Sequence, residues 1–300
     1  MEAADALAPV PKRSVGRRLA GLFHGRPRIQ AGLLLTPPLG WMVIVYLGSL
    51  AVLFVAAFWT TNSITGLPVQ SFSLDSFKTI VQEPVFRTVA FRTVAVAAAV
   101  TLTDALLAFP IAFYMAKIAG RKTRAALVVA VLMPLWSSYL VKVYAWFTIL
   151  SANGVLNWAL DPVGASGPGH GIIAIWLVFS YLWLPYMIIP IFAGFERIPN
   201  SILEASGDLG AKSSTTFRRV VLPMVFPAVV AGSIFTFSLT LGDYITPTLV
   251  SSTQFIGNVI YSNVGVAGNQ PLAAAYAFVP VIVMTIYLLV ARRLGAFEAL

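Results

Sequence analysis

The sequence has no cysteine, two histidines and few charged residues. Without cysteine the chain cannot be a small secreted scaffold held together by disulfides. His24 and His170 stand apart from each other and from any acidic cluster, so neither a metal site nor a cofactor is expected. Charged residues make up 10% of the chain, whereas a soluble domain has about 25%. Because charged groups are costly inside hydrocarbon, their scarcity indicates a protein embedded in a membrane.

Long apolar windows take the place of the missing charge: the chain is 58% hydrophobic, with a mean hydropathy of +0.85. A helix needs about 20 apolar residues to cross a bilayer. Six windows reach that length, and the first is too long to be a signal peptide. We therefore predict an all-α integral membrane protein with six transmembrane helices inside residues 31–293. The windows are Ala31–Trp59, Thr88–Ala116, Ala125–Leu150, Gly171–Phe195, Pro223–Tyr244 and Leu272–Ala291.

The net charge of +9 comes from basic residues in a few short segments. Sixteen of the 20 lysines and arginines lie in residues 1–30, 117–124, 196–223 and 292–293. Loops rich in lysine and arginine stay in the cytoplasm, so we predict that both termini are cytoplasmic. The basic arm (residues 1–30) would contact anionic lipid, and a short tail would follow at residues 294–300. The charge thus indicates membrane topology, and no nucleic-acid partner is expected.

The longest predicted cytoplasmic loop, about residues 196–223, differs from the other loops in its local pattern. After Pro199, a short helix is predicted over Asn200–Leu209, with a side-chain cap at Asn200 or Ser201. Gly210 follows where a helix end favours a residue that can adopt a positive φ. A second short helix is predicted from Ser213 or Ser214 to Val221, and Pro223 would then begin the fifth span.

The same loop resembles the EAA loop of ABC importer permeases. Glu204-Ala205-Ser206, three residues, Gly210, nine residues and Val220-x-Leu222-Pro223 match the family pattern Glu-Ala-Ala, three residues, Gly, nine residues, Ile-x-Leu-Pro. Ser206 and Val220 depart from it by small changes. We call residues 196–223 the EAA-like loop. The resemblance implies that two cytoplasmic ATPase subunits bind the EAA loops of a pair of permeases. In this chain Glu204, Ala205, Ser206, Gly210, Leu222 and Pro223 would provide the coupling to the channel.

Other phrases are similar to the first of the two permease subunits of spermidine/putrescine-type importers. They are Ala108–Tyr114, Pro134–Trp146, Gly242–Pro247 and Asn269–Leu272. The resemblance implies a type I importer-like fold, a second permease subunit, an extracytoplasmic solute-binding protein and a bacterial inner-membrane location. No Gly-x-x-x-x-Gly-Lys-Ser/Thr phosphate loop is present, so ATP hydrolysis would belong to the partner ATPases. The solute could also be an opine, an aminophosphonate or an amino-acid-like compound. The EAA-like loop argues against a stand-alone secondary transporter.

Two acids and several aromatic residues are candidates for the solute path. Asp104 falls mid-span, where an acid is costly: it either faces a cavity or makes a structural hydrogen bond to Thr101, to a neighbouring helix or to the partner subunit. Asp243, at the outer end of the fifth span, is either an interfacial cap or a path residue. Lys142 is expected to extend outward to the interface. The aromatic candidates are Trp136, Tyr139 and Tyr244. Aromatic side chains commonly serve in packing, but their faces can also hold ammonium groups.

Overall fold

The structure is a computed structural model that describes residues 27–62 and 65–295. The predicted basic arm, residues 1–30, lies outside the described residues except for 27–30, and the predicted tail except for 294 and 295. The chain forms two units, Met1–Val55 and Ala56–Leu300, which are described separately.

The described part of the first unit is helical. Helix α1 (Pro27–Trp41) continues through a π-helical turn (Met42–Leu47) into α2 (Gly48–Ala56). Pro37 and Pro38 lie inside α1, which membrane helices tolerate. Most of the described large apolar side chains of this unit are exposed, as expected of a helix whose surroundings are lipid tails or another membrane helix.

The second unit is helical apart from one short antiparallel strand pair. Strands β1 (Thr60–Thr61) and β2 (Pro68–Val69) pair with Thr60 opposite Val69. The helices are α3 (Asp75–Gln82), α4 (Pro84–Phe113), α5 (Arg121–Trp136), α6 (Tyr139–Leu150), α7 (Val155–Leu160), α8 (Ile172–Glu196), α9 (Asn200–Asp208), α10 (Ser213–Thr216), α11 (Leu222–Gly242), α12 (Ile245–Val250), α13 (Ile256–Gly265) and α14 (Gln270–Arg293). A π-helical turn at Tyr114–Ile118 extends α4, and another at Phe217–Val221 precedes α11. A 3-10 turn at Asp161–Val163 follows α7.

Five helices in the described chain are long and apolar enough to cross a membrane, and a bent pair makes a sixth span if it is counted as one. The all-α membrane fold is therefore confirmed. The prediction of one continuous third helix over Ala125–Leu150 is wrong, because α5 and α6 meet at an angle of 94°. The five single helices are Leu34–Ala56, Pro84–Ile118, Ile172–Glu196, Ser213–Gly242 and Gln270–Arg293.

The break between α5 and α6 has a local chemical cause. Ser137 and Ser138 adopt extended backbone angles, which end α5. The carbonyl oxygen of Pro134 accepts a hydrogen bond from the Ser137 hydroxyl at 2.8 Å and from Lys142 Nζ at 3.1 Å. Side-chain donors of this kind compete with the backbone ladder and stabilise a non-helical turn. The ammonium group of Lys142 thus turns back to the break.

Helices α4, α8 and α11 pack against one another and hold most of the buried core. Close approach requires small residues: a Cβ on Gly194 of α8 would lie 2.6 Å from the Cβ of Ala228 on α11. The helix bundle has two ends, which differ in their side chains. We call the end where residues 114–124 meet residues 196–223 the basic end. The opposite end contains residues 137–150 and 243–265.

Candidate functional site

Helix α9, in the EAA-like loop, is attached to the bundle on one face and free on the other. Leu203 packs against the buried core at the basic end. The hydroxyls of Ser206 and Thr216 share a hydrogen bond of 2.8 Å, which joins α9 to α10. The predicted side-chain cap is wrong, because α9 begins after Pro199, whose side chain makes no cap bond. The residues on the free face are Glu204, Ala205, Gly207, Asp208 and Leu209.

Gly210 ends α9 in the predicted conformation. Its φ is +75°, in the left-handed region that side chains disfavour. The amide of Gly210 donates to the carbonyl of Gly207 at 2.8 Å, and the amide of Ala211 donates to the carbonyl of Ser206 at 3.1 Å. These two bonds form a Schellman motif, which satisfies the last carbonyls of the helix. The chain can therefore reverse direction sharply after α9.

The predicted second short helix is not separate from the fifth span. One helical segment runs from Ser213 to Gly242, with a π-helical turn at Phe217–Val221. Pro223 is the second residue of α11, which directly follows this π-helical turn. The ring of Phe217 packs edge-on against Phe109 of α4 at 5.6 Å. The EAA-like loop is thus continuous with the fifth span and in contact with the second.

The opposite end contains an open cavity of about 370 Å³ with aromatic and acidic side chains in its wall. We call it the aromatic cavity. Tyr139 reaches it because the break before α6 turns the third span towards the end of α11. The ring of Tyr139 stacks on Trp183 with centroids 6.1 Å apart, and Tyr244 stacks on Tyr261 at 4.7 Å. The lining residues are Tyr139, Trp183, Ser238, Leu239, Gly242, Asp243, Tyr244 and Ile245.

Asp243 is held by four hydrogen-bond donors. Its Oδ1 accepts from the backbone amides of Ile245 at 2.8 Å and Thr246 at 3.1 Å, so the carboxylate caps the start of α12. Its Oδ2 accepts from the hydroxyl of Tyr139 and from that of Thr246, the latter at 3.3 Å. The two interpretations of Asp243, as a cap and as a cavity residue, are therefore compatible.

Two of the candidate path residues lie elsewhere. Trp136 is 89% exposed at the end of α5 and does not line the aromatic cavity. Asp104 is fully buried on α4. Thr101 donates to the carbonyl of Ala97, so it does not provide the bond that was expected for Asp104. Within the described chain, neither carboxylate oxygen of Asp104 has a hydrogen-bond partner of normal geometry, and its polar neighbour is Ser180 on α8.

Comparison with known proteins gives a family match that contains both parts of the candidate site. A family model for the "Binding-protein-dependent transport system inner membrane component" matches residues 108–297, which include the EAA-like loop and all eight lining residues of the aromatic cavity. The chain belongs to this family. It is therefore a permease component of an ABC importer in the inner membrane.

Two relatives align with most of the permease. It is 43% identical to the inner membrane ABC transporter permease protein YdcU of Escherichia coli K12, over 97% of each chain. It is 30% identical to the spermidine/putrescine transport system permease protein PotB of Haemophilus influenzae, over 70% of this chain and 75% of that protein. The resemblance to spermidine/putrescine-type permeases is thus confirmed.

Solved structures share the fold of the permease at low sequence identity. A chain of a bacterial alginate ABC transporter, crystallised with an alginate-bound periplasmic protein, aligns with a TM-score of 0.74 at 18% identity. The alignment covers 94% of the permease and 98% of that chain. A chain of the inward-facing MetNI methionine ABC transporter aligns with a TM-score of 0.55 at 15% identity, over 76% of the permease and all of that chain.

Sequence reasoning missed Trp183, which lines the aromatic cavity, and Thr246, which donates to Asp243. Trp183 fell within the window of the fourth span, and Thr246 within the phrase Gly242–Pro247. Asp243 and Thr246 are three residues apart, a spacing at which a side-chain oxygen caps a short helix, so that signal was available. Nothing in the sequence indicates that Trp183 and Tyr139 meet, because their contact depends on the bend between α5 and α6.

Proposed function

We propose that this permease pairs with a second permease subunit to form the channel of an importer for small cationic solutes of the spermidine/putrescine type. Two cytoplasmic ATPase subunits drive it through the EAA-like loop. An extracytoplasmic binding protein delivers the solute at the opposite end. The orientation follows from the predicted cytoplasmic location of the basic segments.

The geometry of the EAA-like loop is the observation that supports this function most strongly. Helix α9 presents an exposed carboxylate, Glu204, beside the small residues Ala205 and Gly207. Its other face is joined to the bundle by Leu203 and Ser206. A short helix that is free outside and attached inside can receive a partner protein and pass a displacement to the membrane helices.

The cationic solute is supported by the chemistry of the aromatic cavity. An ammonium group in this cavity would be close to the rings of Tyr244 and Trp183 and to the carboxylate of Asp243. A carboxylate has about four acceptor positions, and Asp243 already uses them on four donors. A solute would therefore have to replace one hydroxyl, and the site would be weak. Weak binding suits a channel whose binding protein supplies the affinity.

Uptake by an Asp243→Asn variant tests the cationic path. The amide keeps an oxygen for the backbone amides of Ile245 and Thr246 but removes the negative charge. We expect severalfold slower uptake of radiolabelled spermidine and putrescine, at unchanged membrane levels, in cells that contain all the subunits. The physical reason is that an ammonium group leaves water at lower cost when a carboxylate is close.

Two variants serve as controls. Asp161→Asn removes an exposed acid outside the aromatic cavity, and Asp104→Asn alters an acid that is buried away from it. Both should import polyamines normally. Normal polyamine uptake by Asp243→Asn would contradict the cationic path. An intact system that imports no polyamine, but takes up an opine, an aminophosphonate or an amino-acid-like compound, would change the solute and leave the permease role in place.

A further inference from the structure

A cluster of charged side chains at the basic end connects the EAA-like loop to a span with which it has no direct covalent link. The loop follows α8 and leads into α11, so the backbone joins it only to the fourth and fifth spans. Lys117, at the end of the second span, and Arg124, at the start of the third, reach across to it. Together with Glu196, Ile198 and Asn200 they surround a cavity of about 300 Å³.

Lys117 contacts the point at which the loop turns into α9. Its Nζ donates to the carbonyl oxygen of Ile198 at 2.6 Å and to the side-chain oxygen of Asn200 at 3.4 Å. Ile198 precedes Pro199, whose ring restricts the backbone, and Asn200 is the first residue of α9. The ammonium group therefore binds both sides of a stiff turn and fixes where α9 begins.

Arg124 joins the ends of two spans. Its Nε donates to the carbonyl of Met115 at 2.9 Å, and one Nη donates to the carbonyl of Ala116 at 2.8 Å. These carbonyls belong to the last turn of the second span, where no backbone donor follows. The other Nη lies 3.3 Å from a carboxylate oxygen of Glu196, the last residue of α8.

These contacts are better suited to fixing geometry than to stabilising the fold. The side chains of Arg124 and Glu196 are 38% and 45% exposed, and ion pairs with that exposure contribute little to folding stability. The apolar contact of Leu203 with the core does not set a direction by itself, since apolar attraction is non-directional. Three directional hydrogen bonds from the two cations reach residues 196–200 and set the direction instead, and two more hold Arg124 to the end of the second span.

We infer that Lys117 and Arg124 are positioning residues that tie the EAA-like loop to the second span, so that displacement of α9 moves α4 together with α8 and α11. The inference rests on the proposed role of the loop in ATPase coupling. Its consequence is mechanical. Helix α4 packs along α8 and extends towards the buried cluster under Tyr139 and Trp183, so a movement at the basic end reaches the aromatic cavity through two spans.

The test measures coupling separately from assembly. The permease is purified with its partner permease, ATPases and binding protein and is placed in proteoliposomes. Solute imported per ATP hydrolysed is then compared for the original chain and for Lys117→Met, which keeps the length of the side chain but removes the charge and the donors. We expect the ratio to fall severalfold while ATP hydrolysis and co-purification of the ATPases persist. Lys117→Arg, which keeps a charged donor, should restore most of the ratio.

Matched variants make the outcome decisive. Lys122→Met removes an exposed lysine that lies beside Arg124 at the start of α5, outside the contacts described above, and should leave the ratio unchanged. An unchanged ratio in both Lys117→Met and Arg124→Gln would overturn the inference. If Lys117→Met fails to assemble, Arg124→Gln alone decides between the outcomes, and a normal ratio in that variant would again overturn the inference. Glu204→Ala, measured in parallel, separates the two proposals: normal coupling in that variant would refute the coupling role of the loop itself.

Discussion

Replacing Gly210 by valine perturbs the EAA-like loop through the backbone alone. A Cβ at this position would have no atom within 4 Å, so the variant introduces no steric overlap with neighbouring groups. The cost comes from the φ of +75°, which an L residue adopts at a penalty of about 1–2 kcal/mol. Valine is branched at Cβ and should be at or above the upper end of that range.

That free-energy penalty destabilises the Schellman motif, and with it the direction that the chain takes after α9. A change of about 1–2 kcal/mol alters the ratio of capped to uncapped loop by roughly 5- to 30-fold. The uncapped loop loses the bonds from Gly210 to Gly207 and from Ala211 to Ser206. We therefore expect Gly210→Val to abolish most uptake while the protein remains in the membrane at normal levels.

The assay compares three substitutions with one control. Asparagine tolerates the left-handed conformation better than alanine, and alanine better than valine, so uptake per molecule should decline in the order Asn, Ala, Val. The control is Gly48→Ala, which has equal free space but helical backbone angles, so that alanine is favourable there. Normal uptake by Gly210→Val would refute the role of the loop. Equal defects in all three variants, or a defect in Gly48→Ala, would refute the backbone argument.

Two further predictions concern topology and packing. Because the chain has no cysteine, cysteines introduced one at a time can be labelled unambiguously. Those at positions 165 and 265 should react with an impermeant thiol reagent outside intact cells, and those at 121 and 212 should not. Labelling at 212 in sealed cells would contradict the predicted orientation. Gly194→Val should destabilise the purified permease by about 1–3 kcal/mol in thermal unfolding, because α8 and α11 would be forced apart. Gly48→Ala, with free space around its Cβ, is the control, and an equal loss of stability in both variants would exclude this contact as the cause.

Some features of this protein are local in sequence, and those were predictable. An apolar window of about 20 residues needs a membrane wherever it occurs, so composition alone indicated an all-α membrane protein. The turn at Gly210 is equally local, because its two hydrogen bonds join residues within α9 or directly after it. The pattern around Glu204 and Gly210 was enough to indicate the family.

Tertiary structure decided which of the candidate side chains meet. Tyr139 and Asp243 are 104 positions apart, and Lys117 and Ile198 are 81 apart, so no local pattern relates either pair. Tyr139 reaches Asp243 because the third span bends before α6. Hydrogen bonds from Ser137 and Lys142 to the carbonyl of Pro134 stabilise that bend in place of a continuous helix. Asp104 has the same side chain as Asp243 but is enclosed by packed helices, because its position on α4 faces α8. Sequence alone can name the acids of a span, but burial depends on which helix faces pack together, and that is a property of the assembled bundle.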